Sequence, residues 1–221
     1  MTNLERQRLY HFTVAHYALD DIRHARLKIA QISDLNDPFE LRCMDTSGPR
    51  IRQVYDGWKG KSSDHFGVLC FSERWNDILQ WSHYADRHRG ICLGFDVEGA
   101  PSKFGKVRYV PDKDPRPERP DQAFVWRSLT TKFKAWEYER EWRVFTTLED
   151  RDWSDCAARE LYFAEFGNEL VLKEVFLGAE SSTSAKEIFA ALANYETAVR
   201  VARVHLADST FELKLADCVK P

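Results

Sequence analysis

The run WEYEREWRV, at Trp136 to Val144, carries the residues best suited to chemistry, the carboxylates Glu139 and Glu141. Arg140 to Thr147 alternates its chemistry as a β-strand does. In a strand, Glu139 and Glu141 point to one face while Arg140 and Trp142 point to the other. Two like charges on one face repel unless they meet water, a cation or a substrate. One carboxylate of such a pair can hold a hydroxyl and stabilise a developing cation while the other accepts a proton. That is the division of labour expected when a glycosidic bond breaks through an oxocarbenium-like state. The alternative is a solvated strand edge with Lys132, Lys134, Arg140 or Arg143 as partners.

Three further stretches set polar residues in apolar frames: His11 within LYHFT, the turn LNDPFE at Leu35 to Glu40, and Ser72 to Tyr84, which closes on WSHYA. Trp81, Ser82, His83 and Tyr84 place aromatic and hydrogen-bonding groups consecutively on a short helix. Aromatic faces stack on planar rings while Tyr and His orient polar atoms, which suits a nucleotide or a nicotinamide ring. A core anchor of Trp and Tyr with a surface His is the alternative. His11 and Ser72 can equally be satisfied strand residues, and Asn36 with Asp37 can simply close a turn.

The elements that must position these groups read as follows. LYHFT is a short strand, and Thr13 caps a helix from Val14 to about Arg23. Arg26 to Ala30 is a second strand, and Asp37 before Pro38 opens a brief helix or turn. A moderately amphipathic helix runs from Pro49 to about Lys59, and a GKSSD loop leads to the buried strand Gly67 to Ser72. Ile78 to Ala85 is helical, Gly90 to Asp96 is a buried strand whose glycines leave little room for side chains, and Lys106 to Val110 is an edge strand. PDKDPRPERP, at Pro111 to Pro120, is a solvated loop, and a helix covers Asp121 to Lys134. Leu170 to Leu177 is a strand, Ser184 and Glu187 form a capping box, and strands follow at Val199 to Leu206 and Phe211 to Leu215 around the Ala207-Asp208-Ser209 corner. Strands joined by both hairpins and helices predict an α+β fold with a mixed sheet flanked by helices, in a single domain over residues 1–221.

Composition supplies the boundaries. A chain of 221 residues, 43% of them hydrophobic, can bury a sizeable core without staples. The formal net charge of -3 gives no general attraction to phosphate backbones or anionic lipid, so neither nucleic acid nor membrane is implied as a partner. The charged opening MTNLERQRLYHF is unlike a secretory signal, and no apolar run is long enough to span a bilayer, so the expected address is the cytoplasm. Five cysteines, Cys43, Cys70, Cys92, Cys156 and Cys218, lack a CxxC pair and are expected as reduced thiols. The histidines lack HExxH spacing, and no structural metal is expected.

LYHFT, LNDPFE, CFSE, WSHYADRHRGICLGFD and the W-x-Y-E-x-E-W-R run, in this order from Leu9 to Arg143, resemble an uncharacterised bacterial family of unknown function. VFLGAE at Val175 to Glu180 fits as well. A remoter similarity is to the ADP-ribosyltransferases, which grip NAD with a His or Arg on one core strand and a Ser, Thr or Tyr on a second, and stabilise the ribosyl cation with a Glu on a third. The order His11, Ser72, Glu141 looks similar, and Glu139 with Glu141 resembles the E-x-E pair of the arginine-modifying branch. This resemblance implies an ADP-ribosyltransferase-like fold with a split sheet and NAD as substrate. It assigns Glu141 and Glu139 to catalysis, and His11, Ser72 and Tyr84, with Trp81 and His83 beside them, to cofactor binding. A macromolecule or small molecule would accept the ADP-ribose. Two other functions compete with it: a non-catalytic module binding a nucleotide or a protein partner in phage defence or stress response, and an NAD glycohydrolase with water as acceptor.

Overall fold

The structure, a computed structural model, describes residues 6–97, 104–148, 153–156 and 159–216. In chain order its elements are β1 (Gln7–Thr13), α1 (Ala15–Arg23), β2 (Arg26–Gln31), α2 (Pro49–His65), β3 (Phe66–Ser72), α3 (Ile78–Tyr84) and β4 (Ile91–Val97). There follow β5 (Phe104–Lys106), β6 (Arg108–Val110), α4 (Gln122–Leu129), β7 (Thr131–Phe133), β8 (Glu141–Thr147), β9 (Trp153–Cys156) and β10 (Arg159–Glu165). β11 (Leu170–Leu177), α5 (Ala185–Ala191), β12 (Arg200–Leu206) and β13 (Leu213–Leu215) complete the chain, and 3-10 turns cover Ile32–Asp34 and Lys134–Glu139. The fold is α+β, and the pairing is mixed: β11 runs parallel to β12, whereas β1 and β11 both run antiparallel to β4. Among the described residues no helix is long and apolar enough to cross a membrane.

The chain divides into two compact units, each assembled from separate segments. The first takes in the described residues of 1–27, 71–100 and 165–221. Its strands lie in the order β13-β12-β11-β4-β1, and the end of β3 pairs with β1. β4 sits between β1 and β11 and reads ICLGFDV, an almost unbroken apolar run, because both of its faces are covered. A Cβ at Gly94 would lie 2.9 Å from the Glu174 Cβ and 3.1 Å from the Tyr10 ring, which is why glycine stands there. Phe12, Trp81, Cys92, Phe176, Ala202 and Val204 form a core against α3, each large apolar side chain contributing about 1.5–3 kcal/mol through burial. Asp77 caps α3 by accepting from the Leu79 and Gln80 amides, and Ser184 with Glu187 forms the expected capping box of α5. Thr13 is not the cap of α1: it is the last residue of β1, and Val14 takes the cap position without a side-chain bond.

The second unit takes in the described residues of 28–70 and 101–164. β9, β10, β2 and β3 lie in that order, β8 pairs with β3, and β5 pairs with β8. Two expectations are corrected here. GKSSD is not a loop: α2 continues to His65, because Ser63 is buried, accepting from the Ser33 amide at 3.0 Å and donating to the Ser33 hydroxyl at 2.9 Å. The helix expected to reach Lys134 stops at Leu129, because Thr131–Phe133 pairs in parallel with β6. Ile32, Leu41, Met44, Tyr55 and Phe124 form one core cluster of this unit. Cys43, Cys70 and Cys92 are free thiols; Cys218 and the Cys156 side chain lie outside the described residues.

Candidate functional site

The second unit gathers both predicted carboxylates into one buried cluster. Glu139 is not on the strand, as its alternation with Glu141 implied: it ends the 3-10 turn Lys134–Glu139, and Arg140 (φ 46°) takes a left-handed conformation before β8 begins at Glu141. The turn still converges the two carboxylates, with Lys132 Nζ 2.6 Å from Glu139 Oε2 and 3.1 Å from Glu141 Oε2. Lys132 also lies 5.0 Å above the Trp136 ring. Arg143 stands two residues beyond Glu141 on β8, so both project to one face. Its Nε donates to Glu141 Oε1 at 2.8 Å and its Nη2 to Glu141 Oε2 at 3.1 Å. The other side of the guanidinium holds Glu40, with Nη1 to Oε1 at 2.5 Å and Nη2 to Oε2 at 3.1 Å, and Nη1 also reaches the Leu129 carbonyl at 2.7 Å. All five N–H donors of Arg143 therefore have acceptors.

The LNDPFE turn delivers Glu40. The Phe39 amide donates to Asp37 Oδ1 at 2.8 Å and the Glu40 amide to the Asp37 carbonyl at 3.0 Å, closing the turn as the sequence suggested. Asp37 itself is buried, and its Oδ2 has no hydrogen-bond partner among the described residues.

Of the cations weighed as partners for the glutamates, Lys132 and Arg143 fill that role. The setting, however, is interior, with Glu139 at 3% and Glu141 at 4% exposure, and not a solvated edge. Burial alone would raise the Glu141 carboxyl, but Arg143 and Lys132 more than offset it and hold it at about 2. For Arg143 and Lys132 burial works the other way, and the surrounding glutamates still hold both above their ordinary values. The Cys70 thiol, bonded to Glu141, is pushed well up, first by burial and then by that carboxylate. Among the described residues, three carboxylates, Glu40, Glu139 and Glu141, thus face the cations Lys132 and Arg143 in a site from which water is largely excluded. A carboxylate held near 2 is a weak base at neutral pH, so what Glu141 can offer a reaction is negative charge.

The other predicted residues lie in the first unit. The β1–β3 register sets Tyr10 opposite Ser72, so these two side chains share a face of the sheet. His11, the next residue along β1, belongs to the opposite face, where its ring lies 6.0 Å from that of Phe71. His11 and Ser72 are therefore not brought together. Trp81 is fully buried: its Nε1 donates to the Trp75 carbonyl at 2.6 Å, Phe12 meets its ring edge-on at 5.3 Å, and His88 stacks on it at 6.3 Å. That geometry makes Trp81 a packing anchor with no face left for a ligand ring. Tyr84 is half-buried against the same core, and His83 is exposed, edge-on to Tyr84 at 6.1 Å. Tyr10, whose hydroxyl donates to Glu174 at 3.1 Å, and Glu40 were not singled out from the sequence. Arg143 was already among the partners weighed for Glu141, whereas no local signal ties Glu40 to a residue 103 positions away.

Fold and site together define an α+β protein with mixed strand pairing and a buried carboxylate–cation cluster in its second unit. A family model described as "Protein of unknown function (DUF2971)" matches residues 80–144, from α3 to β8. The expected resemblance to an uncharacterised family is borne out over that span, which holds the whole of the WSHYADRHRGICLGFD and W-x-Y-E-x-E-W-R motifs. No curated protein and no solved structure matches the chain.

Proposed function

We propose that the chain acts on NAD, breaking the bond between nicotinamide and ribose C1′ and passing the ADP-ribose to an acceptor, with Glu141 supplying the negative field that stabilises the ribosyl cation. In this reaction the C1′–N electron pair leaves with nicotinamide. The acceptor's nucleophile then bonds to C1′ and gives up its proton. The observation that carries the reading is the excess of carboxylates over cations among the described residues around Glu141, in a buried setting. Unbalanced charge acts more strongly where water is excluded, and groups fixed in advance need not reorganise as the cation forms. Glu139, sharing Lys132 with Glu141, keeps that cation from neutralising Glu141 alone.

His11 and the Ser72–Tyr10 pair lie on opposite faces of the first unit's sheet, so no one ligand on that unit meets both. Tyr84 and His83 remain the α3 side chains able to meet a ring. With water as acceptor the same site would be an NAD glycohydrolase. A second reading, a module that binds a nucleotide or protein without turnover, is favoured by one observation: both oxygens of Glu141 are already engaged by Arg143 and Lys132 inside the buried cluster. The test is calorimetric binding of NAD together with chromatographic detection of free nicotinamide, for the wild type, His11→Ala and Ser72→Ala. Binding with release supports the first reading, and loss in one of the two variants identifies the face. Binding without release by the wild type supports the second reading, and no NAD binding ends the first.

A further inference from the structure

The first unit holds a cavity of about 560 Å³ that the NAD reading does not use. Its walls are the start of α3, the turn after α3, the Ala179-Glu180 segment and the connection from β12 to β13. Large apolar side chains stand open to water around it: Phe211 is 100% exposed, Leu206 61% and Ile78 41%. Single exposed apolar residues are ordinary on a protein surface, but several grouped about one concavity mark an interaction site. The polar lining is one-sided. Glu180, Asp208 and Glu212 contribute carboxylates, and no lysine or arginine is among the described residues that line the cavity. Burial lowers the His88 pKa, against the opposing pull of Glu180, and so disfavours the charged imidazolium.

One wall is held in a fixed and uncommon shape. Asp86, Arg87 and His88 have φ of 43°, 55° and 67°, three consecutive left-handed residues without a glycine among them. Neighbouring backbone holds them there: the His88 amide donates to the Trp81 carbonyl at 3.1 Å, and the Glu180 amide to the His88 carbonyl at 3.0 Å. A Cβ at Gly178 would lie 2.0 Å from the His88 oxygen, so the VFLGAE segment can press against this turn only with glycine at that position. Strain kept by surrounding structure is a common property of ligand clamps, and a wall fixed in advance lowers the ordering cost of binding.

We propose that this cavity is a docking site for a peptide segment of a partner protein in which an arginine or lysine stands beside an apolar residue. The cation meets the carboxylates of Glu180, Asp208 and Glu212, while the apolar neighbour covers Phe211 and Leu206. A purely polar cation would leave that apolar rim in water, and a purely apolar segment would leave the three carboxylates unmatched.

The test is fluorescence polarisation of the whole chain with a short fluorescein-labelled peptide containing Arg and Leu, beside the same peptide with Glu in place of Arg. The Arg peptide is expected to bind saturably and the Glu peptide at least about tenfold more weakly. The double variant Asp208→Lys/Glu212→Lys and, separately, Phe211→Ser are each expected to lower affinity about tenfold or more with unchanged melting temperature, since all three positions are exposed. Absence of saturable binding, equal binding of the two peptides, or variants that bind as the wild type does would overturn the proposal. So would self-association in sedimentation that Phe211→Ser abolishes, since the occupant would then be a second copy of this chain.

Discussion

Replacing Arg143 with methionine isolates the electrostatics of the buried cluster. The substitution keeps a long apolar stem but removes the donors to both oxygens of Glu40, both oxygens of Glu141 and the Leu129 carbonyl. Glu141 retains Lys132 at 3.1 Å, and Glu40 loses its guanidinium partner. Breaking a buried pair from one side costs about 3–5 kcal/mol. At about 2–4 °C per kcal/mol for a chain of this size, the melting temperature should fall by roughly 6–20 °C. The pH dependence has a definite sign. In the wild type the Glu141 carboxyl is depressed to about 2 from an ordinary 4.5, so its contribution is present above the unfolded value and is lost as pH falls towards 2. In the variant Glu141 loses the larger of the two cationic contributions that offset its burial and keeps only Lys132, so its carboxyl rises and protonation relieves the penalty as pH falls. Thermal unfolding followed by circular dichroism should therefore show a larger deficit at about pH 8 than at about pH 5. The combined variant Glu40→Gln/Arg143→Met/Glu141→Gln should recover at least about half of the loss. A deficit under about 1 kcal/mol, an equal deficit at both pH values, or no recovery in the triple variant would refute the reasoning.

Three further outcomes are expected. Glu141→Gln should flatten the acid limb of wild-type stability between about pH 4.5 and about pH 2, where the depressed carboxyl is worth about 3 kcal/mol at about 1.4 kcal/mol per pH unit; acid titrations of unfolding compare the two proteins. Gly178→Ala should destabilise by about 2 kcal/mol or more, because its Cβ meets the His88 carbonyl. Gly57→Ala, in open space on α2, should instead stabilise by about 0.5–1 kcal/mol, and urea unfolding of both variants checks the contrast. Ser184→Ala should cost about 1 kcal/mol in the same assay by removing one half of the α5 capping box.

Local signals made much of the fold legible. Alternation and apolar runs placed β1, β4 and β11 within a residue or two, and the Ser184–Glu187 pair marked the start of α5. What failed was decided by tertiary contacts. Ser63 prolongs α2 by bonding Ser33, and Thr131–Phe133 leaves a helical pattern to pair with β6. The same division runs through the candidate site. Glu139 and Glu141 were conspicuous, as were Lys132 and Arg143 as cations within reach, because all four lie within twelve residues of chain. Glu40 joins them from another part of the sequence, and nothing local shows that the LNDPFE turn exists partly to place it against Arg143. The faces of the first unit were hidden for a similar reason: the pairing of Tyr10 with Ser72, which sets His11 on the other side, is a matter of register between strands and not of residue type.

The most direct test of the account is the rate of nicotinamide release from saturating NAD by the wild type and by Glu141→Gln, with NAD affinity and melting temperature measured on the same preparations. Release by the wild type is expected, with a loss of roughly a hundredfold to a thousandfold in the variant and NAD affinity changed by less than about threefold. A wild type that binds NAD and releases no nicotinamide, or a variant that turns over at the wild-type rate, would contradict it.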